Sequence, residues 1–434
     1  MTNNKFKIYQ LIAWLGIIVI TYVMTLLQFP ILIKNVFFVI ATVSCVFLLW
    51  KNNCESKWEV IILMTGLLVR IAFCYLEACT EFEMPIGGGS DGEGFLTTAI
   101  NYYYGDFSVK YTNYPYVLYA FFQITGINPF AVQYINIICW GFCALILQKS
   151  CEKLEIKGWL RLAAIAFMAW IPTNIWITSV LYRDTFVALF LFLSFYFLLC
   201  WMQEGDWKEI VFSIIAIFLA SLLHGGSIVA LVPVAVAVVF YSRERKTIII
   251  TPKSLIVAGI IAASCLIAVL IPQVRETIFK KIPFLQRGLL DGINYFLKMK
   301  YDYSEGAGSN YLVGRYVNNY FDMIVMTFQR VYYNMFAPTP DMWRGLTDVV
   351  ACFGSTAPIY LAAVILWITS IFYKRFDVYR FLLFVEIGIT VTLYAWANVN
   401  AGAALRHREK MLCFVILIAM YSLNIIIQKR AERH

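Results

Sequence analysis

Hydrophobic positions in this chain neither alternate nor recur on one helical face; they run on without a break. Apolar runs fall at about 9–28, 31–50, 58–78, 128–147, 160–179, 185–202, 209–222, 227–241, 254–272, 355–372, 381–397 and 411–427. A bilayer core accepts roughly 20 apolar residues per helix, so the pattern predicts about twelve spans. The 209–222 run is short and reads as tilted, broken or paired with its neighbour. Backbone groups in lipid must bond within the protein, and the period-two signature of a barrel strand is absent, so the fold class is all-α, a polytopic transmembrane helical bundle.

The polar segments between the runs set an orientation. With Lys5 and Lys7 on the cytoplasmic side, the loops "KNNCESK" (51–57), "KSCEKLEIKGWLR" (149–161), "SRERK" (242–246) and "YKRF" (373–376) and the tail "QKRAERH" (428–434) also fall inside, and all are basic. This is the expected bias of short cytoplasmic loops, and it places both termini in the cytoplasm. Segment 79–127 then lies outside, with Lys110 against Glu81, Glu83, Asp91, Glu93 and Asp106. A second outer loop runs from about 273 to 354. Its aromatic stretch "YVNNYFDMIVMTFQRVYYNMF" (316–336) reads as an amphipathic helix on the outer membrane surface or a re-entrant segment. Residues 1–434 form one multi-pass membrane domain on this reading.

Composition agrees. The 434 residues are 61% hydrophobic and 14% charged, where a soluble domain carries nearer a quarter charged residues. The net charge of +9 is accounted for by the inside loops, which removes the argument for nucleic acid. The 11 cysteines show no CxxC pair. Cys45, Cys139, Cys143, Cys200, Cys265 and Cys413 sit in apolar runs and read as small hydrophobes.

Candidate chemistry gathers on the outer side. "IGGGSDGEGF" (86–95) carries Asp91 and Glu93 beside three glycines. On an extended or loop backbone the two acids share a face, where they serve as a general base or ligate a hard divalent cation, Mg²⁺ or Mn²⁺, through Asp91. A solvated turn is the plain alternative. "LYRD" holds Arg183 and Asp184, where Asp184 caps the following helix and Arg183 either pairs, snorkels or meets a phosphate. "LLHGGS" holds His224, in a tight turn or as a phosphate or proton contact. "NVNAGAALRHREKM" puts Arg406, His407, Arg408 and Lys410 on the outer side, against the inside-positive trend. Lipid headgroups or a phosphate are the anions that would answer it. "FAPTPDMWRG" (336–345) reads as an interfacial anchor or a stacking wall.

The first-loop pattern "SDGEGF", "TTAINYYYGDFS" and "YTNYPYVLYAFFQITG" resembles the C-type superfamily of integral-membrane glycosyltransferases. "LYRDTFVALFL", "FAPTPDMW" and "ALRHREKML" are similar to segments of bacterial surface-polysaccharide membrane proteins, including repeat-unit polymerases. The resemblance implies that Asp91, with Glu93 second, is the base or a metal ligand, and that Arg183, Arg406 and Arg408 contact a carrier phosphate. It implies a polyprenyl-linked sugar donor, a glycan or lipid-linked acceptor, and residence in the bacterial cytoplasmic membrane. The motif here is Asp-Gly-Glu rather than adjacent acids, and three spans precede the first large loop. A repeat-unit polymerase is the nearest alternative, and a lipid-linked sugar flippase or transporter the alternative of another class. The run centres are almost free of charge, which favours chemistry at one face over alternating access.

Overall fold

The computed structural model describes residues 3–82, 84, 89–109, 112–270, 287–304 and 309–432. Gly87, Gly88, Glu83, Lys110 and the side chain of Cys265 lie outside the described residues. Helices dominate: α1 Asn3–Leu26, α2 Ile31–Asn53, α3 Lys57–Cys79, α4 Gly89–Tyr103, α5 Tyr114–Thr125, α6 Pro129–Lys153, α7 Gly158–Trp170, α8 Pro172–Ser179, α9 Asp184–Glu204, α10 Trp207–Leu223, α11 Leu231–Phe240, α12 Pro252–Leu270, α13 Leu289–Tyr303, α14 Tyr320–Phe336, α15 Leu346–Phe353, α16 Ala357–Tyr373, α17 Val378–Ala397, α18 Ala401–Glu409 and α19 Leu412–Ala431. The exception is a two-stranded antiparallel hairpin, β1 Tyr241–Ser242 with β2 Thr247–Ile248, at the "SRERK" turn.

Helix starts follow local chemistry. Asn128, Asn319, Asp377 and Asn400 each cap a helix by accepting a hydrogen bond from the backbone N–H three residues on. These are the orphan donors that short polar side chains satisfy.

Among the described residues, eight helical segments are long and apolar enough to cross a membrane: Tyr9–Leu26, Ile31–Asn53, Lys57–Cys79, Pro129–Lys153, Asp184–Glu204, Leu346–Tyr373, Val378–Ala397 and Leu412–Ala431. A ninth is the pair α7 and α8, bent by 51°. Of the expected dozen, the 209–222 and 227–241 runs form shorter apolar helices, α10 with 17 residues and Gly225–Phe240 with α11 at its end. At 1.5 Å per residue α10 reaches about 26 Å, short of a roughly 30 Å core. The expected run at 254–272 extends past the described residues. The apolar segment before α16 begins at Leu346 rather than 355, so it takes in the end of the expected second outer loop. Leu11, Ile12, Leu15, Leu32, Ile33 and Ile40 of α1 and α2 are exposed. Apolar exposure on that scale suits lipid, and the chain is a multi-pass membrane protein.

Two compact units divide the chain: residues 1–196 with 215–225, and residues 197–214 with 226–434. In the first, α3 packs on α6, α7 and α8. Pro172 breaks the α7–α8 pair because it has no N–H to give Met168 O and its ring excludes the normal turn. Arg70 of α3 fills that gap. Its guanidinium donates to Met168 O (3.3 Å), Ala169 O (2.7 Å), Gly66 O (3.1 Å), Asn174 Oδ1 (2.9 Å) and Thr178 Oγ1 (2.9 Å). Trp140 Nε1 also donates to Met168 O, and its ring lies 3.8 Å from the guanidinium. Arg70 is fully buried. Glu386 of α17, in the second unit, is likewise buried inside a span. The span centres are therefore less free of charge than expected, because these groups face protein and not lipid.

At the far end of α3, Arg161 pairs with Glu55 (3.0 Å) and Glu59 (3.3 Å) and also donates to Asn53 O. Cys54 lies in this cluster; burial, and then Glu59, push its thiol up to about 12, so it stays an inert thiol. Cys45, Cys139, Cys143, Cys200 and Cys413 are buried as expected.

In the second unit, α16 packs along α19, and α14 packs on α17 and α18. Helix α14 is amphipathic with an inverted sense. Met326, Arg330 and Asn334 are buried, while Phe321, Ile324, Phe328 and Tyr332 are exposed.

Candidate functional site

The acidic motif is helical. Asp91 sits in the first turn of α4, where the partial positive charge of the helix start favours a carboxylate. The buried stripe Phe95, Thr98, Ala99 and Tyr102 fixes which face of α4 points inward. Residues two apart on a helix lie about 200° apart, so Asp91 is half-buried and Glu93 is exposed. This corrects the expectation of an acid pair on one face. Gly92 is buried inside the helix, and a Cβ there would meet Leu181 O at 3.4 Å. It marks where α4 lies against the segment after α8.

That segment, 180–183, is unwound between α8 and α9. Unwound backbone at membrane depth survives only if its polar groups are satisfied by protein. Gln133 of α6 donates to Ser179 O, Asn136 to Val180 O (2.6 Å) and Tyr114 Oη to Tyr182 O (3.4 Å). Arg183, half-buried, lies 5.6 Å over the Phe95 ring. Phe95 in turn meets Tyr114 edge-on at 5.2 Å. Asp184 is buried in the first turn of α9. Burial, with Cys139 and Asp184 adding to it, pushes the Tyr114 phenol well above its ordinary value, so it stays protonated. Asn113 Nδ2 donates to Leu222 O (2.8 Å), which brings the 222–224 turn and half-buried His224 to the start of α5.

Three separate sequence motifs thus meet at one end of the first unit: the Asp91 turn, the Arg183–Asp184 turn and the His224 turn. Gln133, Asn136 and Tyr114, which hold the unwound backbone, were not singled out from sequence. Polar Gln133 and Asn136 inside the 128–147 apolar run were the available signal.

The cation-rich motif of the second unit is different. Arg408 is fully buried and donates to Met335 O (3.2 Å), Ala337 O, Ala351 O (3.1 Å) and Ser355 Oγ (2.9 Å). Burial lowers its guanidinium to about 10, still charged at neutral pH. Lys410 is buried, and its Nζ lies 2.9 Å from His407 Nδ1. Tyr394 lies against the His407 ring at 4.6 Å. Glu409 accepts from Thr356 N and Oγ1. The expected open cationic patch is therefore largely a packed core. Arg408 clamps backbone carbonyls, and only Arg406 and His407 keep partial exposure. The "FAPTPDMW" segment is part of this clamp, with Trp343 Nε1 donating to Pro338 O (3.1 Å).

Sequence reading also missed Arg330. It is fully buried and donates to Asn398 O (3.2 Å) and Tyr301 Oη (3.1 Å), with the Trp396 ring 5.1 Å away. Among the described residues no group of three or more His, Cys, Asp or Glu side chains is placed to hold a metal ion, so Asp91 has no such ligand set around it. Compared with protein-family models, curated proteins and solved structures, the chain matches none.

Proposed function

We propose that this protein is a glycosyltransferase of the bacterial cytoplasmic membrane. It takes a sugar from a polyprenyl-phosphate or polyprenyl-pyrophosphate donor on the outer face and serves cell-surface polysaccharide assembly. The orientation rests on the basic loops, with both termini cytoplasmic. The observation that carries the reading is the meeting of the Asp91 turn with the Arg183 turn at one end of one unit.

The chemistry needs both charges. Asp91 takes the proton of an acceptor hydroxyl as that oxygen bonds to the anomeric carbon. The bond from the anomeric carbon to the carrier phosphate breaks with its electron pair on the phosphate oxygen. Arg183 stabilises that departing charge, and a preformed cation in a water-poor site does so strongly. Tyr114 and His224 line the same end. A transporter would draw on Arg70 at the broken α7–α8 pair, but its five N–H groups already have acceptors within the protein.

The test is purified protein given polyprenyl-linked sugars, with and without EDTA. Asp91→Asn is expected to lower transfer by about 10²–10⁴-fold, the usual worth of a general base, with membrane insertion unchanged. Undiminished transfer by that variant removes the base assignment. Loss of wild-type transfer in EDTA would put a divalent cation in the site. Donor movement across vesicles without any product would favour a transporter.

A further inference from the structure

Arg330 differs from every other buried arginine described above. Arg70 has five acceptors for its five N–H groups, and Arg408 has four acceptors. Arg330 has two, and its buried Nε has none. Among the described residues no carboxylate lies within ion-pair reach of it. A guanidinium withdrawn from water without an anion or a full acceptor set is costly.

The groups around it are short of acceptors as well. Asn334 is one helical turn further along α14, on the same face, and is fully buried. Its Oδ1 accepts from Asn398 Nδ2 (2.9 Å), which leaves its Nδ2 as a buried donor with nothing to meet. At the same end of α14, Arg408 Nε and Thr339 Oγ1 are also buried without a partner. Arg408 reaches that end through Met335 O and Ala337 O. Arg330 Nε, Asn334 Nδ2 and Arg408 Nε are all N–H donors. The strap 309–312 covers this region through Tyr311 N to Val399 O (2.9 Å), Ala401 N to Ser309 O (3.0 Å) and the Tyr311–Tyr333 stack at 4.9 Å.

We propose that Arg330 and Asn334 form the core of a binding site for a phosphate-type oxyanion, within the second unit. A guanidinium fork and an amide N–H match an acceptor-only group. A phosphate brings more oxygens to this dispersed donor set than a carboxylate does. The proposal is independent of the sugar-transfer reading, because it concerns binding and not turnover. The phosphate is either free or the headgroup of a lipid.

The test uses the full chain in lipid nanodiscs and reads the thermal unfolding midpoint and direct binding. The probes are inorganic phosphate in neutral-lipid discs and phosphatidic acid incorporated in the discs. Chloride and acetate at matched ionic strength serve as controls. A rise of the midpoint with phosphate identifies a free anion, and a rise only with phosphatidic acid identifies a headgroup. Arg330→Gln is expected to weaken the responding probe by at least about 30-fold, the usual cost of truncating one side of a buried charged contact. Asn334→Asp supplies an internal carboxylate while keeping an acceptor for Asn398. It is expected to unfold at a higher temperature than wild type without anion and to lose the response. The proposal is overturned if wild type ignores both probes, if acetate acts as well as phosphate, or if Asn334→Asp binds as wild type does.

Discussion

Arg70 in the first unit and Arg330 in the second are both fully buried, and each lies by a tryptophan, Trp140 or Trp396. They differ in what meets the guanidinium. Arg70 fills a fault that Pro172 makes in the α7–α8 pair, so protein supplies its acceptors. Arg330 meets one carbonyl and one phenol. Equal burial of the same residue therefore marks two roles, and the count of acceptors separates them. A saturated arginine is a structural member of the fold, and an unsaturated one is poised for something the chain does not contain.

The largest effect that would sharpen this contrast is at Arg70. Arg70→Met removes five buried hydrogen bonds and should destabilise the protein by about 3–5 kcal/mol. Arg70→Lys should recover little of it, since an ammonium has three donors and no planar fork. Thermal unfolding in nanodiscs reads both, and a stable Arg70→Met protein would break the comparison. Thr178→Val, which removes one acceptor and leaves Arg70 Nε unmatched, should cost about 1–3 kcal/mol. Arg330→Met, without added anion, should change stability by less than about 1 kcal/mol, because apolar replacement of a poorly satisfied buried charge is often neutral or stabilising. A loss as large as that of Arg70→Met would show Arg330 to be structural. Smallest of all, Glu93→Gln should leave both unfolding and sugar transfer near wild type, as Glu93 points away from the face that carries Asp91.

What the sequence made legible follows from how far the physics reaches along the chain. Uninterrupted apolar runs are local, and each expected run is mostly helical over its described residues. Span number is less local, since α10 ends at Leu223 just before the Gly225–Ala230 3-10 turn, and α11 starts only at Leu231 with Pro233 in its first turn. The Asp91 motif was read as a turn because consecutive glycines favour one. The Phe95–Tyr102 stripe packs inward and carries the helix back to Gly89. Arg70 and Arg330 stood in plain sight, but their partners are not local: Arg70 bonds to residues 98–108 positions away, and Arg330 reaches Asn398, 68 positions away. The cations of "ALRHREK" looked exposed by charge alone, and only the carbonyls around Arg408 reveal that it is interior.

The plug in the α7–α8 fault has a consequence for biogenesis. Helix α3 is synthesised before Met168, Ala169, Asn174 and Thr178 exist. At about 5–20 residues per second, the 98 residues from Arg70 to Met168 take roughly 5–20 s. Through that interval the nascent helix holds an arginine well inside its apolar stretch, and of its final contacts only its own Gly66 carbonyl and, once α6 is made, the Trp140 ring exist to meet it. Insertion experiments assign such a residue about 2.5–3.5 kcal/mol at a helix centre, which the flanking leucines and isoleucines of α3 must outweigh. The helix therefore waits at the translocon in a state the finished protein never visits, and a chain halted before α8 should be the form that quality-control proteases recognise.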